Sequence, residues 1–214
     1  MDLCPFSVRC WLPKLSQEGK NWWWNVVILL GAIVGLYVVF HFRPFRLSLG
    51  SSHPLVGQEL PRIKLEAVEE NQPGVSSEAL HGQVVLVCFW GPWSEMSRRA
   101  LPRVAELAAP YMKRPDFRLI SIACAQEPSL PKEQLRHQVR STLREWGISV
   151  PTYIDPEGET LARFRARQGL EQLPTLYLVD RQGKIQAVWP GFQHQVEKEL
   201  QELLEESFPE PIAL

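Results

Sequence analysis

Two serines three residues apart, Ser94 and Ser97, stand directly after the apolar run at residues 84–90. A serine oxygen at the start of a helix can accept a backbone N–H as an N-cap, which contributes about 1 kcal/mol. The same oxygen becomes a nucleophile only beside a general base. The nearest base in the sequence is Glu95, and no motif places a histidine close by. We therefore predict that Ser94 is an N-cap residue and that neither serine is catalytic.

The thiol chemistry of the chain depends on its four cysteines, which are Cys4, Cys10, Cys88 and Cys124. They form no Cys-x-x-Cys pair, and the chain lacks the paired Cys/His spacing of a zinc site, so we predict no metal and no cofactor. Cys88 lies inside the apolar run, where a buried cysteine usually behaves as a small, inert core residue. Cys124 is interpreted in the same way. The alternative is that one of these two thiols is reactive.

Strands and helices alternate along the part of the chain that must position these residues, which indicates an α/β domain with a mixed sheet. Continuous apolar runs predict strands buried on both faces, and apolar residues at steps of three and four predict amphipathic helices. The helix that starts with proline at its first position is predicted to end at Gly147. The predicted strands are 62–68, 84–90, 118–123, 175–179 and 184–189, and predicted helices begin near Ser94, at Pro131 and near Val196.

The length and charge of the chain limit what it can be. Its 214 residues leave room for one globular domain and an appendage. The formal net charge is −1, so the basic excess of a nucleic-acid-binding protein is missing and no nucleic-acid partner is predicted. Short arginine runs at 98–103 and 163–167 are interpreted as solvated faces.

The appendage is an apolar segment at residues 22–42, which begins with three tryptophans. As a helix this segment would span about 31 Å at 1.5 Å per residue, close to the hydrocarbon thickness of a bilayer. The sequence HFRPFR at its end lacks the small residues of a signal-peptide cleavage site. We predict a single transmembrane helix, and the nearly equal basic charge on its two sides leaves the orientation open. The predicted organisation is a tail (1–21), a transmembrane helix (22–42), a tether (43–54), a globular domain (55–207) and a second tail (208–214).

The run VVLVCFWGPWSEMSRRALP, from Val84 to Pro102, resembles the active-site segment of thioredoxins, in which a strand, an aromatic pair, a turn and Trp-Cys-x-x-Cys follow in that order. Within that superfamily the chain is most similar to the membrane-anchored TlpA/ResA-type thiol–disulfide interchange proteins, a redoxin (AhpC/TSA-like) group. Residues 172–184 resemble their cis-proline loop and hairpin. The resemblance covers about residues 54–206 and implies a thioredoxin fold, a central mixed β-sheet flanked by helices, with an N-terminal β-hairpin extension.

The resemblance places the two redox cysteines of the family at Ser94 and Ser97. Dithiol exchange needs a thiolate at the helix N-terminus and a second sulfur that resolves the mixed disulfide. Serine has no accessible anion at neutral pH and cannot form an S–S bond, so this tetrapeptide, Ser-Glu-Met-Ser, is predicted to be redox-inactive. Cys88 falls six residues before Ser94, where thioredoxins hold a buried aspartate, and is therefore a buried thiol under the site.

A binding groove is the second feature that the resemblance implies. In this fold the cis-proline loop exposes a backbone edge that receives an extended peptide, a form of strand addition, and the motif tryptophan forms an apolar wall. The residues that would line this groove are Trp93, Met96, Leu173, Pro174 and Thr175. The resemblance further implies that the domain faces outside the cytoplasm, on the periplasmic side of a cell membrane.

Three hypotheses follow for the function. The first is a membrane-anchored thioredoxin-like protein that lacks the catalytic dithiol and binds a protein or extended peptide. The second is an oxidoreductase or antioxidant enzyme of the redoxin family that uses Cys88 or Cys124, with a role in cell redox homeostasis by resemblance, although the Thr/Cys motif of peroxiredoxins is absent. The third, a copper-carrying chaperone, would need a cysteine pair that His194 alone does not replace.

Overall fold

The computed structural model of the chain describes residues 26–32 and 50–209. Residues 26–32 are helical (α1), and they are the described part of the predicted transmembrane segment at 22–42. The remainder of that segment, the tail at 1–21 and most of the tether lie outside the described residues. Within the two described ranges, no helix combines the length and the apolar composition required to cross a bilayer. The chain divides into two units, Met1–Arg46 and Leu47–Leu214, and the second unit holds the sheet.

The second unit is built on a seven-stranded mixed sheet in the order β2-β1-β5-β4-β3-β6-β7. Strands β4 and β3 pair in parallel, as do β4 and β5. On one side β6 pairs antiparallel with β3 and β7 antiparallel with β6, and on the other β1 pairs antiparallel with β5 and β2 antiparallel with β1. This arrangement confirms the predicted α/β class. The strands are β1 (Lys64–Ala67), β2 (Val75–Ser76), β3 (Val84–Trp90), β4 (Phe117–Ala123), β5 (Thr152–Ile154), β6 (Thr175–Val179) and β7 (Ile185–Pro190). The helices are α2 (Glu95–Ala108), α3 (Lys132–Trp146), α4 (Glu159–Ala166) and α5 (His194–Ser207), with a 3-10 turn at Ser77–Leu80.

Strand β3 lies inside the sheet, between β4 and β6, and every one of its residues is apolar and buried. Successive side chains of a strand point to opposite faces, so β3 divides its side chains between two cores. Leu86, Cys88 and Trp90 pack on the face that carries α2, α3 and α5. Val87 and Phe89 pack on the other face, against Phe164 of α4. The continuous apolar run therefore supplies both cores at once.

The helix ends follow the sequence signals closely, with one correction. Ser94 caps α2 as predicted, and Gly147 ends α3 in the left-handed conformation (φ 67°), where its N–H donates to the carbonyls of Leu143 and Arg144. Pro131 was predicted at the first helical position, but it lies one residue earlier, as the N-cap, with an extended ψ of 138°. Proline costs no helical hydrogen bond at this position either, because the first N–H groups of a helix have no partner within it.

The outer edge of β7 is covered by residues 50–57, which precede β1 in the chain. The Val188 N–H donates to the Gly50 carbonyl at 3.0 Å, and the Gly57 N–H donates to the Ile185 carbonyl at 2.8 Å. The Gly50 N–H donates to Glu199, whose carboxylate also accepts the indole N–H of Trp189. Gly50, which the sequence places in the tether, is thus hydrogen-bonded to the domain. Covering an edge strand in this way prevents its pairing with other chains.

Gly169 provides a test of packing on the α4 side of the sheet. It is buried, the Tyr177 hydroxyl donates to its carbonyl, and a Cβ at this position would overlap that hydroxyl and lie 2.7 Å from Leu55 Cδ1. We expect Gly169→Ala to lower the free energy of unfolding by about 1–3 kcal/mol, the usual cost of overpacking. Chemical denaturation measures it. Adding Tyr177→Phe removes one overlapping atom, so the double variant should regain part of the loss. Strictly additive effects of the two substitutions would contradict this packing.

Asp116 provides a test of pH dependence. It accepts hydrogen bonds from Arg114 at 3.0 Å and Arg181 at 2.9 Å, and these guanidinium groups, which also stack on Phe208, lower the pKa of Asp116 to about 2. A carboxylate whose pKa is lower in the folded state stabilises the protein above its unfolded pKa of about 3.9, and this stability is lost as the pH falls towards 2. The difference in Tm between wild type and Asp116→Asn should therefore shrink between pH 5 and pH 2. Glu157→Gln, which removes one exposed carboxylate, is the control for the change in charge. A difference in Tm between wild type and Asp116→Asn that does not change with pH would contradict the lowered pKa of Asp116.

Candidate functional site at the tip of helix α2

The first turn of α2 uses both serine oxygens for backbone contacts. Ser94 Oγ accepts the N–H of Ser97 at 3.2 Å, which is the N-cap hydrogen bond. Ser97 is completely buried, and its Oγ accepts the N–H of Gly91 at 3.2 Å. An unsatisfied N–H at that depth would cost about 1–3 kcal/mol. The two hydroxyls therefore hold the turn against the end of β3.

No base accompanies these hydroxyls. The Glu95 carboxylate is exposed and pairs with Arg99 at 3.2 Å, one turn along the helix. Across residues 50–209, neither a histidine nor a carboxylate hydrogen bonds to Ser94 or Ser97. The site consequently contains no arrangement that would activate a serine as a nucleophile.

An exposed apolar side chain lies on each side of the helix tip. Trp93 is 45% exposed, its indole N–H donates to the Cys124 carbonyl at 3.3 Å, and its ring covers Gly91 so closely that a Cβ there would overlap it. Met96 is 47% exposed, and its Cε lies 3.9 Å from the position that a Cβ of Gly191 would take. Met96 therefore borders the loop after β7, whereas Trp93 lies beside the end of β4.

The loop before β6 contains a cis peptide bond between Leu173 and Pro174, as the family resemblance implied. The Pro174 carbonyl accepts the N–H of Gly191 at 2.7 Å, which ties this loop to the one that Met96 borders. Pro174 and Thr175 are buried, and Leu173 is half-buried. Within the described part of the chain, the backbone N–H and carbonyl of Leu173 make no hydrogen bond. A short unpaired backbone edge therefore lies close to Met96.

The predicted groove residues are thus divided by the tertiary structure. Met96 lies next to the cis-proline loop through Gly191, but Trp93 lines a different cleft, opposite Glu145 and Trp146 of α3. Since Pro174 and Thr175 are buried, they shape the loop and offer little side-chain surface. The tip of α2 therefore presents two separate surfaces, one towards the loop and one towards α3.

Both cysteines of the domain are free thiols, and both are buried. Burial raises the pKa of Cys88 to about 12 and that of Cys124 to about 12. Cys88 belongs to the core beneath α2, and Cys124 belongs to the core on the opposite face of the sheet. Cys88 pairs with Ser121 across the strands, three residues before Cys124, so the two Cα atoms are about 11 Å apart at 3.3 Å per residue. A disulfide requires Cα atoms within about 7 Å, so the two cannot be joined without a backbone movement.

A chain of buried polar groups beside Cys88 was not found by sequence reasoning. The Trp90 indole N–H donates to Ser121 Oγ at 2.7 Å, Ser121 Oγ lies 3.4 Å from Thr152 Oγ1, and Thr152 Oγ1 donates to the Val150 carbonyl at 3.0 Å. The only signal in the sequence was one serine within an otherwise apolar strand. Thr152 lies 31 residues after Ser121 in the chain, so their contact depends on the pairing of β4 with β5.

The sheet order, the cis-proline loop and the capped helix after a central strand together define a thioredoxin-like domain. The sequence matches the AhpC/TSA family over residues 56–188, which is more than half of the chain. The chain belongs to the AhpC/TSA family.

Similar proteins give the same result. The chain is 24% identical over 166 residues to the thiol-disulfide oxidoreductase ResA of Geobacillus thermodenitrificans, which covers 78% of this chain and 84% of that protein. It is also 24% identical over 135 residues to the thioredoxin-like protein YneN of Bacillus subtilis, covering 63% and 71%. These matches confirm the similarity to TlpA/ResA-type proteins.

Solved structures confirm the fold. The thioredoxin domain of a thiol-disulfide oxidoreductase from Bacteroides vulgatus superposes with a TM-score of 0.55 at 18% identity, covering 71% of this chain and 96% of that one. A thiol:disulfide interchange protein of the thioredoxin family from Chlorobium tepidum superposes with a TM-score of 0.54 at 19% identity, covering 68% and 94%.

Proposed function

We propose that this chain is a non-catalytic thioredoxin-like module that binds an extended segment of a partner protein at the tip of α2. One observation carries the proposal: serines stand at the two positions that the sequence resemblance assigns to the family's redox cysteines, and both serine oxygens accept hydrogen bonds from backbone N–H groups. The fold around them is retained. A site that keeps its binding geometry without its electron-transfer groups is suited to recognition.

The binding part of the proposal depends on the edge beside Met96. An extended segment can add to an unpaired backbone edge through main-chain hydrogen bonds, while an adjacent apolar side chain supplies contact area. The free N–H and carbonyl of Leu173 provide the first element, and the half-exposed Met96 side chain provides the second. Pro174 and Thr175 are buried and fix the position of the loop.

We further propose that residues 22–42 anchor the protein in a membrane and that the domain is extracytoplasmic. The length and composition of this segment and the similarity to ResA support the idea. Protease added to spheroplasts that express the full chain should digest the domain, while a cytoplasmic marker protein remains intact. A domain that is cleaved only after the membrane is lysed would contradict the orientation.

Insulin reduction by the detergent-solubilised full chain tests the absence of catalysis. With dithiothreitol as the reductant, the rate should equal that of the uncatalysed reaction, whereas thioredoxin under the same conditions accelerates it. Turnover clearly above the uncatalysed rate would refute the non-catalytic assignment.

Selection from a library of displayed, unstructured peptides tests the binding site. Peptides enriched on the full chain should bind at least tenfold more weakly to Met96→Asp. Met112→Asp is the matched control, because Met112 is 40% exposed and lies beyond the opposite end of α2. Equal losses in the two variants, or no enrichment of any peptide, would contradict a site at the helix tip.

A further inference from the structure

An open groove follows the exposed side of α3 and reaches the tip of α2. It consists of two adjoining clefts of about 540 Å³ and 190 Å³ that share Thr142 and Glu145. The larger cleft lies between α3 and the loop at 126–130, and the smaller one lies between α3 and Trp93. We call the two together the α3 groove.

The α3 groove has the length of a short peptide. One wall is a stripe of residues on consecutive turns of α3, which are Gln134, Gln138, Ser141 and Glu145. The eleven steps from Gln134 to Glu145 rise about 16 Å at 1.5 Å per residue. An extended chain advances about 3.3 Å per residue, so the stripe accommodates about five residues. Amide and hydroxyl groups along the stripe can hydrogen bond to a peptide backbone, whatever side chains the peptide carries.

The charge of the α3 groove is negative. Glu127 lies in the loop at 126–130, Glu145 lies where the two clefts meet, and among the described residues neither forms an ion pair. No lysine or arginine is among the residues that line the larger cleft. The third carboxylate that lines the groove, Glu95, pairs with Arg99 at 3.2 Å.

The smaller cleft adds aromatic surface at the α2 end. Trp93 and Trp146 both line it, and Trp146 is held in place by ring contact with buried Trp90, with centroids 5.5 Å apart. Arg98, the one arginine of the groove, also lies there. Tryptophan faces attract apolar side chains and cations alike.

We propose that the α3 groove extends the binding site and takes an extended partner segment that carries basic side chains, one at Glu127 and one at Glu145, with an apolar residue against Trp93. Charge complementarity commits the groove to this occupant, because Glu127 and Glu145, which form no ion pair among the described residues, are matched by basic groups. This inference rests on the proposed function, and it explains why the exposed apolar side chains at the helix tip face two directions.

Fluorescence anisotropy with the full chain in detergent tests this proposal. The probes are fluorescein-labelled Lys-Ala-Leu-Gly-Ala-Lys and the same peptide with glutamate in place of lysine. We expect the basic peptide to bind at least tenfold more tightly and to lose affinity as salt is added. The double variant Glu127→Gln/Glu145→Gln should weaken its binding about three- to tenfold, the range expected for two exposed ion pairs. Glu157→Gln, at an exposed carboxylate outside the groove, should leave it unchanged.

Each other outcome overturns a specific claim. Equal affinity for the two peptides, or binding that Met96→Asp abolishes and Glu127→Gln/Glu145→Gln leaves intact, overturns the α3 groove while the proposed site at Leu173 stands. Binding that needs the two glutamates but is insensitive to Met96→Asp supports the groove and overturns the proposed tip. If neither peptide binds, the α3 groove is overturned, and the library selection decides the proposed function separately. Self-association of the peptide-free chain that Glu127→Gln/Glu145→Gln abolishes would make a second copy the occupant and overturn the partner assignment.

Discussion

The double variant Ser94→Cys/Ser97→Cys should form an intramolecular disulfide under mild oxidant. The native serines cannot form this bond, so the oxidised fraction at this site should rise from zero to completeness. Residue 94 caps α2, so a thiolate there would be stabilised by the unpaired N–H groups and the dipole of the helix start, which lower thiol pKa values from about 8.5 to between about 3.5 and 7.5. Residue 97 follows one turn later, with its backbone N–H already 3.2 Å from the side-chain oxygen of residue 94.

Alkylation before and after reduction, followed by mass spectrometry, measures this disulfide. The single variants Ser94→Cys and Ser97→Cys serve as controls, since each lacks the second cysteine of the pair. Replacing Ser97 also removes the oxygen that binds the Gly91 N–H, so we expect the double variant to lose about 1 kcal/mol of stability. If a folded double variant stays fully reduced under oxidant, the alignment of these positions with the family's redox cysteines is wrong.

The second large effect concerns the native thiols. Cys88 and Cys124 should react with iodoacetamide at least a thousandfold more slowly in the folded chain than in denaturant. The thiolate is the reacting species, and a pKa raised from 9.0 to about 12 reduces its fraction at pH 7 from about one in a hundred to about one in a hundred thousand. Complete burial of both side chains slows the reaction further.

The measurement uses Cys4→Ser/Cys10→Ser, which leaves only the two domain thiols to be labelled. Each cysteine is quantified in its own peptide after native or denatured labelling. Rapid native labelling of Cys88 would favour the alternative function, an oxidoreductase or antioxidant enzyme that works through one thiol. Labelling of both cysteines at the rate of global unfolding would leave that alternative without an accessible nucleophile.

Local signals were sufficient for much of the fold. The runs at 84–90 and 118–123 predicted β3 and β4 nearly to the residue, because strands buried on both faces consist mainly of apolar residues. Ser94 and Gly147 marked helix ends, because capping depends on a single residue and its nearest neighbours. Shorter elements were missed. Strand β5 has only three residues, too few for a periodic pattern, and α4 has eight.

The sequence by itself determined the chemistry at the helix tip, since the identity of Ser94 and Ser97 excludes an S–S bond in any conformation. Tertiary structure alone decided where the neighbouring groups lie. It placed Trp93 towards α3 and Met96 towards Gly191, and it joined Ser121 to Thr152 beneath the site. Bond formation depends on the atoms a residue contains, which the sequence states directly. Contacts between residues distant in the chain depend on strand order and helix packing, and no local pattern encodes these.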